Sequence, residues 1–217
     1  PLVRNLGNDP LEWTGGVTTP HIPWAKPYAA GKTRALILCS YLQAREVLEL
    51  AQRMDLDLAT ATIETGGSNV WTPWWRHGGQ TAFSQSKVTE LLKGEYDVIV
   101  LGSFGLYNDE IMKLLETQVK KGVGLVYIMP WRVPDRVAQL LPGREVPNQP
   151  YGRPETKGRW AKQADHFLTQ GIPFDLLPET LYRRYEAAQD ASILLRIGND
   201  PLLTVRDAKG AGRVVLL

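Results

Sequence analysis

The stretch from Tyr96 to Trp131 constrains this chain most, because it reads as a complete strand, helix and strand. Asp97-Val98-Ile99-Val100-Leu101 and Gly124-Leu125-Val126-Tyr127-Ile128-Met129 are short apolar runs rich in β-branched residues, which suits strands buried on both faces. Between them, Asn108 is placed to cap a helix with Asp109 and Glu110 in its first turn and Lys120 and Lys121 in its last, the signs that complement the helix dipole. Gly122 closes that helix, and Ile111, Leu114, Leu115 and Val119 share one face at helical spacing. Two buried parallel strands joined by a helix form a right-handed βαβ unit, and sheets built from such units place their crevices beyond the carboxyl ends of the strands. Those ends are Gly102-Ser103-Phe104 and Met129-Pro130-Trp131.

The same grammar recurs upstream. Arg34 to Cys39 reads as a first buried strand, and Ser40 with Gln43 as a capping box opening a helix whose inner face is Ala44, Val47, Leu48, Ala51 and Met54. Leu58 to Ile63 reads as a second strand, placed at or near an edge because its middle is small and polar. A helix over Ser84 to Lys93 turns Val88, Leu91 and Leu92 inward and stops at Gly94. Downstream come a short helix from Pro134 to Leu141 and a loop from Pro142 to Asp165, whose Arg144, Arg153, Lys157, Arg159 and Lys162 read as a solvated charge run. Ser192–Ile197, Leu202–Arg206 and Arg213–Leu217 read as antiparallel strands divided by Gly198 to Pro201 and Asp207 to Gly212. The expected fold is α/β: a doubly wound, mostly parallel, flavodoxin-like sheet in the order second, first, third, fourth, with antiparallel strands at its C-terminal end. Its switch point falls between the Ser40 and Ser103 loops. Neither a flavodoxin phosphate loop nor a response-regulator Asp is present, since Cys39-Ser40-Tyr41-Leu42-Gln43 and Leu101-Gly102-Ser103 stand in those places.

A chain of 217 residues suits one α/β domain with elaborated loops, here placed at residues 34–217 after an extended arm over 1–33. The arm holds five of the fifteen prolines, with Trp13 and Trp24 among them, and reads as a linker in preference to a ligand site. A net charge of +2 gives no electrostatic case for nucleic acid, and no apolar run approaches the roughly 20 residues that span a bilayer. The start at Pro1 and the stop at Leu217 suggest a piece of a longer protein, so the compartment, export included, stays open. The single Cys39 excludes an internal disulfide and a cysteine-based metal site. The long loop from Glu64 to Gln80 carries Trp71, Trp74, Trp75, Arg76 and His77, a mixture that can stack on a sugar ring or simply cover the sheet edge and the arm. His77 has only His21 and His166 as companions, with no ligand spacing, so neither a metal nor a cofactor is expected.

Tyr96 to Gly102, Val119 to Tyr127, His166 to Pro173 and the closing Gly210-Ala211-Gly212-Arg213-Val214-Val215 together resemble the class I glutamine amidotransferase-like superfamily. The likeness covers about residues 34–217 and is closest to the trehalose-utilisation (ThuA-like) proteins and the middle domains of some β-galactosidases. It rests on order and spacing of motifs that are individually unspecific. The resemblance implies a nucleophilic Cys on a tight elbow after the Gly124–Met129 strand, with backbone N–H groups holding the oxyanion. This chain has Ile128-Met129-Pro130-Trp131 there; Met cannot form the acyl intermediate, Pro130 has no N–H to donate, and Tyr127 and Trp131 crowd the turn. Cys39 ends a different strand and reads as a core residue. The family's His-acid pair is not recognisable, because Phe167-Leu168 follow His166, which reads as a loop anchor.

The leading expectation is therefore a catalytically silent amidotransferase-like domain that binds or scaffolds within a larger, carbohydrate-related protein, its partners being the remaining domains of that protein. One alternative is a hydrolase using Ser40, Ser103 and His166, with Tyr41 and Tyr107, around a small polar substrate. Another is a pure protein-protein interaction domain using the arm and the tryptophan loop. If a carbohydrate or other small polar ligand binds, the strand ends place Ser40, Tyr41, Ser103, Phe104, Met129 and Trp131 on one rim, with Trp74, Trp75 and Arg76 beginning on that rim.

Overall fold

The computed structural model describes residues 31–40, 44–63, 85–102, 108–128, 138–146, 156–207 and 210–217. The chain is a mixed α/β protein that divides into two compact units, with the division after Gln118. The expected arm over residues 1–33 lies outside the described residues apart from its last three positions, and the tryptophan loop lies wholly outside them.

In the first unit, β1 (Thr33–Ser40) runs between β2 (Leu56–Ile63) and β3 (Val98–Gly102), parallel to both. Ala35, Leu36, Ile37, Leu38 and Cys39 are all buried, the burial on both faces that a continuous apolar run requires. The order β2-β1-β3 is the one expected from the sequence, with β2 on the outside. Helix α1 (Ala44–Arg53) buries Val47 against Ile37 and Cys39, with Leu50 and Leu58 at the margin. The inward assignment of Met54 is corrected: Met54 lies one residue past the helix and is exposed, because the periodic face has already ended at Leu50 and Arg53. Helix α2 (Gln85–Leu91) buries Val88, and Leu92 follows it fully buried.

The end of α2 is closed by backbone and side-chain donors together, the Gly94 N–H and the Tyr96 hydroxyl both reaching the Leu91 carbonyl. The Tyr96 hydroxyl donates to the Leu91 carbonyl at 2.8 Å, and a Cβ at Gly94 would meet that same hydroxyl at 2.7 Å, so Gly94 serves close approach rather than a left-handed stop. Helix α3 (Asp109–Lys120) starts as expected, the Asn108 side chain accepting from the Ile111 N–H at 2.7 Å. Ile111, Met112 and Leu115 are buried, and so is Gln118, whose amide donates to the Leu92 and Gly94 carbonyls at 2.7 and 2.9 Å. One buried amide thereby satisfies two carbonyls just past α2. At the start of β1, the Arg34 N–H and guanidinium both donate to Asp97, while Asp97 N–H donates back to the Arg34 carbonyl. The Asp97 carboxyl is held below its usual range, first by the Arg34 side-chain hydrogen bonds.

In the second unit, β4 (Gly124–Ile128) pairs in parallel with β12 (Val214–Leu216), the last strand of the chain. β12 pairs antiparallel with β11 (Asp200–Arg206), β11 with β10 (Ser192–Ile197), and β10 with β7 (Trp160–Lys162). The C-terminal strands are thus antiparallel as expected, with the addition that β12 is parallel to β4 on its other side. The β10–β11 turn is shorter than the four-residue divider read from sequence: Ile197 pairs with Asp200, leaving only Gly198 and Asn199. Gly198 has φ of +58°, the positive value a two-residue hairpin needs at its first position. Leu194, Leu195, Leu203 and Val205 form the core here, with Trp160 and Phe174 packed on it.

The stretch from Pro142 to Asp165, read as loop, contains three strands of three residues each: β5 (Gly143–Glu145), β6 (Thr156–Gly158) and β7. β5 pairs with β9 (Tyr185–Ala187), and β6 with β8 (Thr180–Tyr182), both antiparallel. The charges on these strands form ion pairs, Arg144 with Glu186 and Lys157 with Glu179, instead of a purely solvated run. Arg206 reaches back from β11 to donate to the Gln139 and Leu140 carbonyls and to Asp190, so one cation ties β11 to the turn before β5.

Two turns of backbone fix the C-terminal end of α3. Gly122, at φ +99°, donates to the Val119 carbonyl, and Gly212 N–H donates to the same carbonyl at 2.7 Å. A Cβ at Gly212 would overlap the Val123 carbonyl, a backbone atom that no rotamer change can move aside. Urea unfolding should therefore rank Gly212→Ala, costing roughly 2–3 kcal/mol by overpacking, above Gly122→Ala, where only the left-handed backbone costs about 1–2 kcal/mol. Gln118→Leu should cost about 1–3 kcal/mol by stranding the buried Leu92 carbonyl and the part-buried Gly94 carbonyl; an unchanged urea midpoint would show that those carbonyls find other partners.

Candidate functional site

The site expected from the sequence lies where the parallel strands end. In the first unit β1 ends at Ser40, in register with Ile63 at the end of β2, and Cys39 is in register with Gly102 at the end of β3. Three parallel strands therefore finish at one level. The chain leaves β1 toward β2 on one side and returns to β3 on the other, so the strand order reverses between β1 and β3, the position where open α/β sheets form a crevice. Ser40 closes β1, and residue 103 follows directly on β3, on the neighbouring strand.

Among the residues singled out for this rim, the backbone of Ser40 is described and its side chain is not. Tyr41, Trp74, Trp75, Arg76, Ser103, Phe104 and Tyr107 lie outside the described residues, as do Met129 and Trp131 after β4 in the second unit. The register of the first unit brings Ser40 and Gly102 to adjacent strand ends.

Cys39 is placed clearly. Its side chain is 2% exposed and packs with Ile37 and Val47 on the face covered by α1, with Leu50, Leu58 and Val100 alongside. Burial, and then the charge of Glu46, push the thiol up to about 12 from an ordinary value of 9.0. A thiol in that state forms almost no thiolate near neutrality, and the thiolate is the nucleophilic form.

His166 belongs to the second unit, where it opens a single 3-10 turn over Phe167–Thr169. Its Nδ1 accepts from the Leu168 N–H at 3.2 Å, and its ring lies 4.4 Å from that of Phe167. The Thr169 hydroxyl and N–H both donate to the His166 carbonyl, tightening the turn. An Nδ1 that accepts leaves the proton of the neutral ring on Nε2. A base in the serine-hydrolase arrangement has the reverse tautomer, with Nδ1–H donating to an orienting group and Nε2 free to take the proton.

The polar clusters that sequence reading missed are paired within themselves. The Tyr182 hydroxyl contacts Asp200 at 2.9 Å, and Arg184 donates to both carboxylate oxygens of Asp200 at 3.1 and 3.2 Å. Burial, followed by the hydrogen bond to Asp200, raises the Tyr182 phenol to about 12. Arg183 donates to Glu145 at 2.9 Å with both side chains largely buried, beside Tyr185, whose phenol is pushed up chiefly by burial. Each cluster joins a short strand to its neighbours, so these groups serve cohesion. No group of three or more His, Cys, Asp or Glu able to hold a metal occurs among the described residues. Gln118 had a readable signal, since it stands seven residues after Ile111 on the inward face of α3; the tyrosine and arginine clusters join strands too short to show a period.

Comparison with known proteins fits this geometry at the level of the fold. No family model matches the chain, and no curated protein matches it. Among solved structures, a cytoplasmic protein from Salmonella typhimurium LT2 superimposes with a TM-score of 0.59 at 19% identity, covering 85% of this chain and 86% of that one. A second cytoplasmic protein from Salmonella typhimurium gives 0.58 at 19% identity over the same shares, 85% and 86%. A protein described as ThuA-like from Bacteroides uniformis ATCC 8492 gives 0.53 at 15% identity, covering 89% of this chain and 84% of that one. The chain thus has a fold similar to that of ThuA-like proteins.

The state of Cys39 makes a direct expectation. In the native protein at pH 8 it should resist an aromatic disulfide reagent and react once urea unfolds the chain. Because its folded-state value lies above the unfolded one, the neutral thiol favours the fold below about pH 9, and that contribution is lost as pH rises from about 9 toward 12. Cys39→Ala should flatten this part of the stability-versus-pH curve, and rapid labelling of the native wild type would contradict the buried placement.

Proposed function

We propose that this chain is a catalytically silent domain of the glutamine amidotransferase-like type, acting as a binding or scaffold module within a larger, carbohydrate-related protein. The observation that carries this reading is the burial of Cys39, the chain's single cysteine, inside β1. Amidotransferase chemistry needs an exposed thiolate to attack the amide carbon and a backbone N–H pair to hold the oxyanion. Residues Met129-Pro130 follow β4, where the resemblance calls for that nucleophile, and a thioether and an imino acid supply neither function. The ThuA-like fold supports the class, and the strand ends at Ser40 and Gly102 support a crevice rim in the first unit.

The Ser40, Ser103 and His166 hydrolase is the weaker reading, because His166 uses Nδ1 to hold its own turn. A carbohydrate or similar polyol is the ligand class that suits the rim. Trp74 or Trp75 would offer a stacking face, and Ser40, Ser103 and Arg76 polar contacts, a combination that sugar rings accept.

Two measurements test the proposal. Purified protein should release no ammonia from glutamine; turnover that disappears in Cys39→Ala would overturn catalytic silence. Titration with simple and oligomeric sugars should change tryptophan fluorescence in the wild type, and Trp74→Ala with Trp75→Ala should abolish the change. No response in the wild type, or an unaltered response in the double variant, removes the stacking role.

A further inference from the structure

We draw no further inference here: the strongest candidate, the run of exposed apolar side chains Phe167, Ile172, Leu176 and Leu181 along the two short 3-10 turns and β8 of the second unit, carries nothing because nothing in the structure shows what covers it.

Discussion

Five consecutive apolar residues of β1, Ala35 to Cys39, are buried, and the first unit depends on that fact. A strand buried on both faces cannot leave its N–H and C=O groups to water, so it needs a hydrogen-bonded neighbour on each edge. β2 and β3 supply those neighbours, both parallel, and parallel pairing in turn demands a long crossover for each connection. α1 and α2 fall in those crossovers, and α1 buries Val47 against Ile37 and Cys39. Full burial of each Leu or Ile is worth roughly 1.5–3 kcal/mol. That is large beside the exposed Arg34–Asp97 contacts that tie the start of β1 to the start of β3. Apolar burial holds the strand in place, and the ion pair fixes where it begins.

This explains which parts of the fold could be read from the sequence. Long elements with a single dominant period were legible: β1, β3, α3 with its Asn108 cap and Gly122 end, and β10 all lie within a residue or two of their expected bounds. Where two signals competed, the reading fell short. Gly94 does follow the end of α2 and its N–H donates to the Leu91 carbonyl, but the Tyr96 hydroxyl shares that carbonyl and its ring fills the space a Cβ would take, which the sequence did not show. Met54 looked inward because it extends the period of α1, but the helix ends before it and the backbone turns toward β2. Strands of three residues, such as β5, β6 and β8, contain barely one alternation, so no pattern can announce them.

The second unit is stabilised in a different manner, which is why its polar residues were misjudged. Its short strands expose little apolar surface of their own, and paired side chains join them to neighbours: Arg183 to Glu145, Tyr182 and Arg184 to Asp200, Arg206 to the Gln139 and Leu140 carbonyls. A sequence shows such arginines only as charge. Which carboxylate or carbonyl each one meets depends on pairings with partners up to 67 positions away. Gly212 belongs to the same class, since its need for no side chain arises from the approach of the Val123 carbonyl and from nothing in its flanking residues.

The candidate site divides along the same line. Its location follows from topology, because a strand order that reverses around β1 fixes where loops diverge, whatever side chains those loops carry. Its chemistry depends on the identity and state of a few groups, and here sequence and structure contribute separate halves. The sequence supplies Met129-Pro130 after β4. The structure supplies the condition of the chain's thiol: Cys39 stands one residue before the end of β1, a position that by itself would suit a nucleophile. It turns instead toward Val47 under α1, where burial keeps it protonated. The apolar environment that lets β1 organise the unit is therefore what withdraws its thiol from chemistry. The parallel order β2-β1-β3 rests on those apolar strands and draws nothing from the thiol.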